Sequence, residues 1–267
     1  MAENVIKDMT KKSFVVTKNE IKKYLRGKKI LIISGIIILV LALTTILPYA
    51  IGDGLSDQPL VLAHDYMMLM DFIIAVIAIL FAATTIVSEF EERTALITFT
   101  KPIRRSSIFL GKFVATSLIG ALFVIIYFMA VALISLCVTG EIASELFTSM
   151  GLALLYMMGV TGVALLLSSV MKKSSNATLI AFVVLIVILP IITHSIVAAL
   201  GDVIMVGEQI TGIDYGSVWW MLDVAGYDIG GVLEGADVNV LTSAGVMVAW
   251  CTIATILSYI LFRRRDF

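Results

Sequence analysis

The sequence predicts an all-α polytopic membrane protein with six transmembrane helices and both termini in the cytoplasm. Three observations predict it: a composition too apolar for a water-soluble fold, six apolar stretches of bilayer-spanning length, and basic residues confined to alternate connections. Hydrophobic residues fill 60% of 267 positions and charged residues only 15%, whereas a soluble domain carries about 45–50% and about 25%. So much apolar surface needs lipid as its outer solvent.

The apolar stretches are Ile30–Pro48, Met67–Val87, Phe113–Val138, Phe147–Val170, Ala177–Leu200 and Val240–Phe262. Each is near the roughly 20 residues that cross a bilayer core as a helix. Barrel strands would instead show about ten residues of alternating polarity, so a β-barrel is rejected. The first stretch has no small-residue cleavage site before the next polar loop and reads as retained.

Orientation follows from lysine and arginine, which are enriched in cytoplasmic connections. Nine basic residues precede the first span, five lie between spans two and three, two between four and five, and three after span six, which exhausts the 19 in the chain. The opposite side carries acids only, among them Asp57, Asp65, Glu141, Glu145, Asp214 and Asp237. The net charge of −1 therefore conceals two faces of opposite sign. Six spans with both ends inside is the count that fits.

Ahead of span one, Ser13 to Lys29 reads as an amphipathic helix, with Phe14, Ile21 and Leu25 at helical spacing beside Lys18, Lys22, Lys23 and Arg26. Such a helix suits the headgroup plane and anionic lipid; the blander alternative is that its charges only fix topology. Between spans five and six, residues 201–238 hold eight glycines and the Trp219-Trp220 pair. Paired tryptophans suit the water–lipid boundary, so one or two short external helices are expected there, with a disordered loop as the alternative.

Between spans two and three, Ser88 followed by Glu91 is a capping-box spacing, and Glu89, Glu91 and Glu92 would favour the positive end of a helix. Pro102 disfavours helix at Lys101, so a separate cytoplasmic helix should end near Thr100. It would display Phe90, Leu96, Ile97 and Phe99 among charges, a density that points to a partner surface or the membrane interface. A solvated charged loop is the competing interpretation.

No phosphate-cradling glycine loop is present: Gly27-Lys28 and Gly111-Lys112 both lack the first glycine and the following hydroxyl residue. His64 and His194 carry no pairing motif, and Cys137 and Cys251 fall inside spans, where they read as small apolar residues. No catalytic or metal site is expected. Polar residues within spans remain as candidates, since such groups usually face protein or a cavity: Asp71, Thr84 and Thr85 in span two, and Pro190, Thr193 and His194 in span five. Pro190 should kink its helix, and the threonines could simply bond back to their own helix.

On the acid-rich stretch after span two, Thr94, Pro102, Arg105, the Gly111-Lys112 pair and the ending Leu261-Phe262-Arg263-Arg264-Arg265-Asp266-Phe267, the sequence resembles permease subunits of ATP-binding-cassette transporters, in the type-2 exporter-like branch. Many members place glycine after the threonine; Ala95 stands here. The resemblance implies a coupling segment, 88–102, seated in a groove of a separate nucleotide-binding subunit, with Glu89, Phe90, Glu91, Glu92, Arg93, Thr94 and Leu96 as contact residues. It implies that ATP and Mg are bound by that partner and not by this chain. It further implies a second permease chain, with spans two and five lining the subunit interface and their polar residues edging a path. The chain then divides into a cytoplasmic segment 1–29, a transmembrane domain 30–262 containing the external region 201–238, and a tail 263–267. The lipid bilayer is the remaining partner, nucleic acid is not expected, and the location is the plasma membrane of a prokaryote. A stand-alone secondary transporter would show broken helices and charged midplane residues; that reading and a structural membrane protein are the alternatives.

Overall fold

The computed structural model describes residues 2–52, 54–91, 104–192, 222, 229–230, 232–233 and 240–264, with side chains from residue 10 onward, and every regular element among them is helical. Six helices are long and apolar enough to cross a membrane: Lys28–Ile51, Pro59–Glu91, Arg105–Thr139, Glu145–Val170, Ser174–Ile192 and Val240–Arg264. They correspond in order to the six apolar stretches. Most extend past the apolar runs because a helix does not stop where hydropathy stops: span three starts at Arg105, two turns before Phe113.

A further helix, Ala2–Arg26, precedes span one and starts well before Ser13. It ends where Gly27 takes an extended conformation, and the Gly27 amide closes the last turn on the Tyr24 carbonyl at 3.0 Å. Span one runs almost a turn past Pro48 and stops at Gly52, whose φ of 107° is a left-handed cap that most side chains resist.

Span two is the centre of the bundle. It has three pieces, Pro59–Met67, Met70–Thr85 and Val87–Glu91, broken at Met68–Leu69 and at Ile86. Met70, Ile73, Ile74, Ile77 and Phe81 are fully buried, against spans three and four and the start of span five. The break at Ile86 frees backbone donors, and both the Ile86 and the Val87 amides donate to Ser168 Oγ of span four at 3.2 Å. Ser88 therefore lies inside a turn that continues span two, where the capping-box spacing had suggested a fresh start.

Spans four and six share the largest interface. A Cβ at Gly162 would stand 3.3 Å from both the Ala254 Cβ and the Cys251 carbonyl, so glycine sets how closely these backbones approach. Span five changes winding midway: Ser174–Phe182 is α-helical, Val183–Ile188 is π-helical, and Pro190 comes two residues after Ile188. A proline ring clashes with the carbonyl four residues back, and a wider turn ahead of it relieves that clash. From the connection between spans five and six, Leu222, Ile229 and Leu233 are buried on the bundle, and Ser149 Oγ donates to the Ile229 carbonyl at 2.6 Å. Trp219, Trp220 and most of the expected external helices lie outside the described residues.

Candidate functional site

The N-terminal helix presents Thr17, Glu20 and Tyr24 to the bundle, three buried residues at helical spacing, while Phe14 is 69% exposed and Leu25 is exposed. Of the apolar stripe read from the sequence, Phe14 and Leu25 stay outside and Ile21 packs in part, while the buried face is a different one. The inward face is polar because it meets polar partners. Thr17 Oγ1 donates to the Gly111 carbonyl at 3.1 Å, and a Cβ at Gly111 would lie 2.7 Å from Val16 Cβ and 2.9 Å from the Ser13 carbonyl. Glycine at 111 lets the N-terminal helix seat directly on span three.

The next residue, Lys112, is the hub of the site. Its side chain is 1% exposed, and its ammonium lies 2.8 Å from Glu20 Oε1 and 2.7 Å from Glu89 Oε1, side chains 11% and 13% exposed. A third donation reaches the Thr85 carbonyl at 3.1 Å. An ammonium has three N–H donors, so each is placed. Burying an ion costs several kcal/mol unless geometry and hydrogen bonding compensate, and two carboxylates around one lysine supply both. Beside the triad, Tyr24 Oη lies 2.7 Å from Thr85 Oγ1, and the Thr85 hydroxyl donates in turn to the Phe81 carbonyl. Burial, with the Glu20 carboxylate nearby, pushes the Tyr24 phenol well above its ordinary pKa, so it stays a donor to Thr85.

The short piece Val87–Glu91 is held from several directions. Glu89 ties it to Lys112 of span three and, through that lysine, to Glu20 of the N-terminal helix, and Ser168 accepts from its first amide. Phe90 packs edge-on against Phe262 of span six at 6.3 Å between ring centroids, and Phe262 also meets Phe109 of span three. Glu91, exposed, accepts from the Ser174 amide at 2.8 Å and from the Ser174 hydroxyl, capping the start of span five. Across the connection, Arg105 Nη1 donates to the Arg263 carbonyl at 2.8 Å. Both ends of segment 92–103 are therefore fixed at one end of the bundle, beside the end of span six.

The structure places the candidate residues unequally. Glu89, Phe90 and Glu91 stand together in that turn, whereas Glu92, Arg93, Thr94 and Leu96 lie outside the described residues, as do Thr193 and His194. Thr84 and Thr85 meet the N-terminal portion of the chain: Lys29 Nζ donates to Thr84 Oγ1 and to the Leu80 carbonyl, both at 2.6 Å. Asp71 sits in the first turn of the same helix, about 20 Å from Thr85 by helical rise, so these residues do not form one site. Cys137 and Cys251 are free thiols, and among the described residues no group of three His, Cys, Asp or Glu is placed for a metal. Sequence reasoning missed Glu20, Lys112 and Ser168. Lys112 counted there only as a topological charge and a family mark; its signal was a charge on the brink of a long apolar run. Glu20 was legible as the one acid between Lys18 and Lys22.

A family model described as ABC-2 family transporter protein matches residues 14–267. No curated protein matches the chain. The matched range takes in the N-terminal helix from Phe14, all six spans and the triad.

Proposed function

The chain belongs to the ABC-2 family of transporter proteins, and from that membership we propose that it is the membrane-spanning permease subunit of an ATP-binding-cassette transporter. It has no phosphate-cradling loop of its own, so a separate nucleotide-binding subunit binds ATP and Mg and hydrolyses the nucleotide. Segment 88–102 is the coupling element, with Glu89, Phe90, Glu91, Glu92, Arg93, Thr94 and Leu96 carrying it.

The observation that supports this most is the convergence on Val87–Glu91. A force applied to the segment that follows Glu91 enters a turn in contact with spans three, four, five and six and linked through Lys112 to the N-terminal helix. Few other points in the chain could pass a local displacement to so many spans. In this reading Glu89 anchors the coupling element from within, and the exposed charges beyond it meet the partner. A second permease chain completes the path, because each of two nucleotide-binding subunits needs a coupling segment; Asp71, Thr84, Thr85, Pro190, Thr193 and His194 edge that path or the subunit interface. The product of the cycle is export or mechanical work across a prokaryotic plasma membrane.

Charge reversal tests the coupling. The Glu92→Lys/Arg93→Glu variant spares the Glu91 cap and should weaken capture of the ATPase subunit by a few kcal/mol, about 10²-fold, if those charges are desolvated at the interface. Its expression and melting should match the parent. A well-expressed variant with full ATPase binding and transport-linked hydrolysis would refute the assignment. Orientation is tested separately: in a chain with both cysteines replaced by serine, Asp57→Cys should react with an impermeant thiol reagent in intact cells and Lys172→Cys should not. The reverse pattern places the termini outside.

A further inference from the structure

A groove of about 790 Å³ runs between the N-terminal helix and the first turns of span three, within the roughly 300–1,000 Å³ range of small-molecule sites. Its two walls differ in chemistry. The span-three wall is apolar, with Leu110, Val114 and Leu118 on one helical stripe and all substantially exposed. The other wall carries Phe14 and Ile21 together with the exposed Lys18 and Lys22. Among the described residues, no aspartate or glutamate lines the groove.

We propose that this groove binds one acidic phospholipid, its phosphate held by Lys18 and Lys22 and an acyl chain laid along Val114 and Leu118. A ligand that fits must be anionic at one edge and apolar at the other, and in a bilayer that description is an acidic lipid. A second copy of the chain fits poorly, since a two-fold contact through this face would bring four lysines together with no acid among the lining residues to answer them. The groove is held open from beneath, because the seating of Thr17 and Val16 on Gly111 fixes the spacing of its walls. A lipid bound there bridges the N-terminal helix and span three on the outer side of the Glu20–Lys112 contact. Occupancy depends on a membrane setting and on none of the coupling assignments, so the two readings fail separately.

The experiment is lipid retention by the purified full chain in neutral detergent, titrated with phosphatidylglycerol or phosphatidylcholine and read by native mass spectrometry. One phosphatidylglycerol per chain should be retained in preference to phosphatidylcholine. Lys18→Glu/Lys22→Glu should lower that retention about tenfold or more, while Lys23→Glu/Arg26→Glu, an equal charge change on exposed residues outside the groove, should leave it within about twofold. Val114→Trp fills the apolar wall and should reduce retention with both lysines in place. Equal retention of the two lipids, or equal losses from the two charge reversals, overturns the site. So does a Val114→Trp variant that changes oligomeric mass but not lipid retention, which would identify a second copy as the occupant.

Discussion

Spans one and two are both uninterrupted apolar runs in sequence, yet 17% of the most apolar window of span one is buried within the chain, against 72% for span two. Span one buries Ile33, Ile37 and Val40 in the bundle, packs Ile30, Ile36 and Leu41 against it in part, and leaves Ile32, Ile38, Leu39, Leu43, Ile46 and Leu47 outside. Span two is enclosed. In water this difference would be one of hydrophobic stabilisation; in lipid that part vanishes, because hydrocarbon solvates leucine as well as a protein core does, and only packing distinguishes the two. Hydropathy therefore locates spans without sorting them into centre and rim. What sorts them is residue size and polarity. The central piece of span two carries Ala75, Ala78, Ala82 and Ala83, which let neighbours approach, and ends on Thr84 and Thr85, which bond to Lys29 and Tyr24. Span one reads Ile-Ile-Ile-Leu-Val-Leu through its middle.

If the enclosed region depends on its polar anchor, the largest effect belongs to Lys112. Lys112→Met keeps the volume and removes the cation that contacts both the Glu20 and the Glu89 carboxylates. Breaking a buried ion pair from one side costs about 3–5 kcal/mol. The melting midpoint in detergent should fall sharply, and residues 10–26 should exchange amide protons faster as the N-terminal helix loosens. Adding Glu20→Gln and Glu89→Gln to the methionine variant should recover much of the loss, since neutral partners no longer demand a counter-ion. A Lys112→Met protein that melts like the parent would show that the triad contributes nothing to holding this region.

The triad also shows where sequence reasoning stops. Six spans were readable because each rests on one contiguous stretch, and the helices found follow those stretches in order. The end of span one, the early start of span three and the buried face of the N-terminal helix were not. Each depends on what lies opposite. A lone lysine in a basic connection looks like any topological charge until Glu20 and Glu89, distant in sequence, are brought to it. The segment proposed for coupling was conspicuous by its charges, but only Ser88, Glu89, Phe90 and Glu91 of it are described, and Glu89 turns inward where the pattern alone suggested an outward surface. Its inward contact is compatible with an anchoring role for that one residue.

A purely apolar change inside span two should have a smaller effect. Ile77 is fully buried, and Ile77→Ala leaves a cavity within the bundle. Truncations of this kind cost about 2–5 kcal/mol in soluble cores. Here the lower end, about 2 kcal/mol, is expected, because the unfolded reference in a bilayer already keeps the side chain out of water. The check is a lowered melting midpoint with unchanged orientation of the termini. A loss no greater than at an exposed span-one residue would erase the distinction between centre and rim.

The smallest effect is expected at Ile38, the counterpart on span one, which is 66% exposed. Ile38→Ala trades contacts with lipid for contacts with lipid that has moved closer. No cavity can persist against a fluid neighbour, so a change within about 0.5 kcal/mol follows, as at other unpacked surface positions. Chain packing tells the same story locally: span one touches span two through few residues, and nothing described in the chain covers the Ile38 face. The outcome is informative only if dimer content is measured with stability. If Ile38 faces lipid in the assembled permease, the fraction of paired chains found by cross-linking in native membranes should not change. If the second permease chain seats on span one, the same truncation removes a packed contact, and the paired fraction should fall while the melting of the isolated chain stays level. That result would move the subunit boundary to span one and make the exposed rim, rather than the enclosed centre, the surface on which the transporter is assembled.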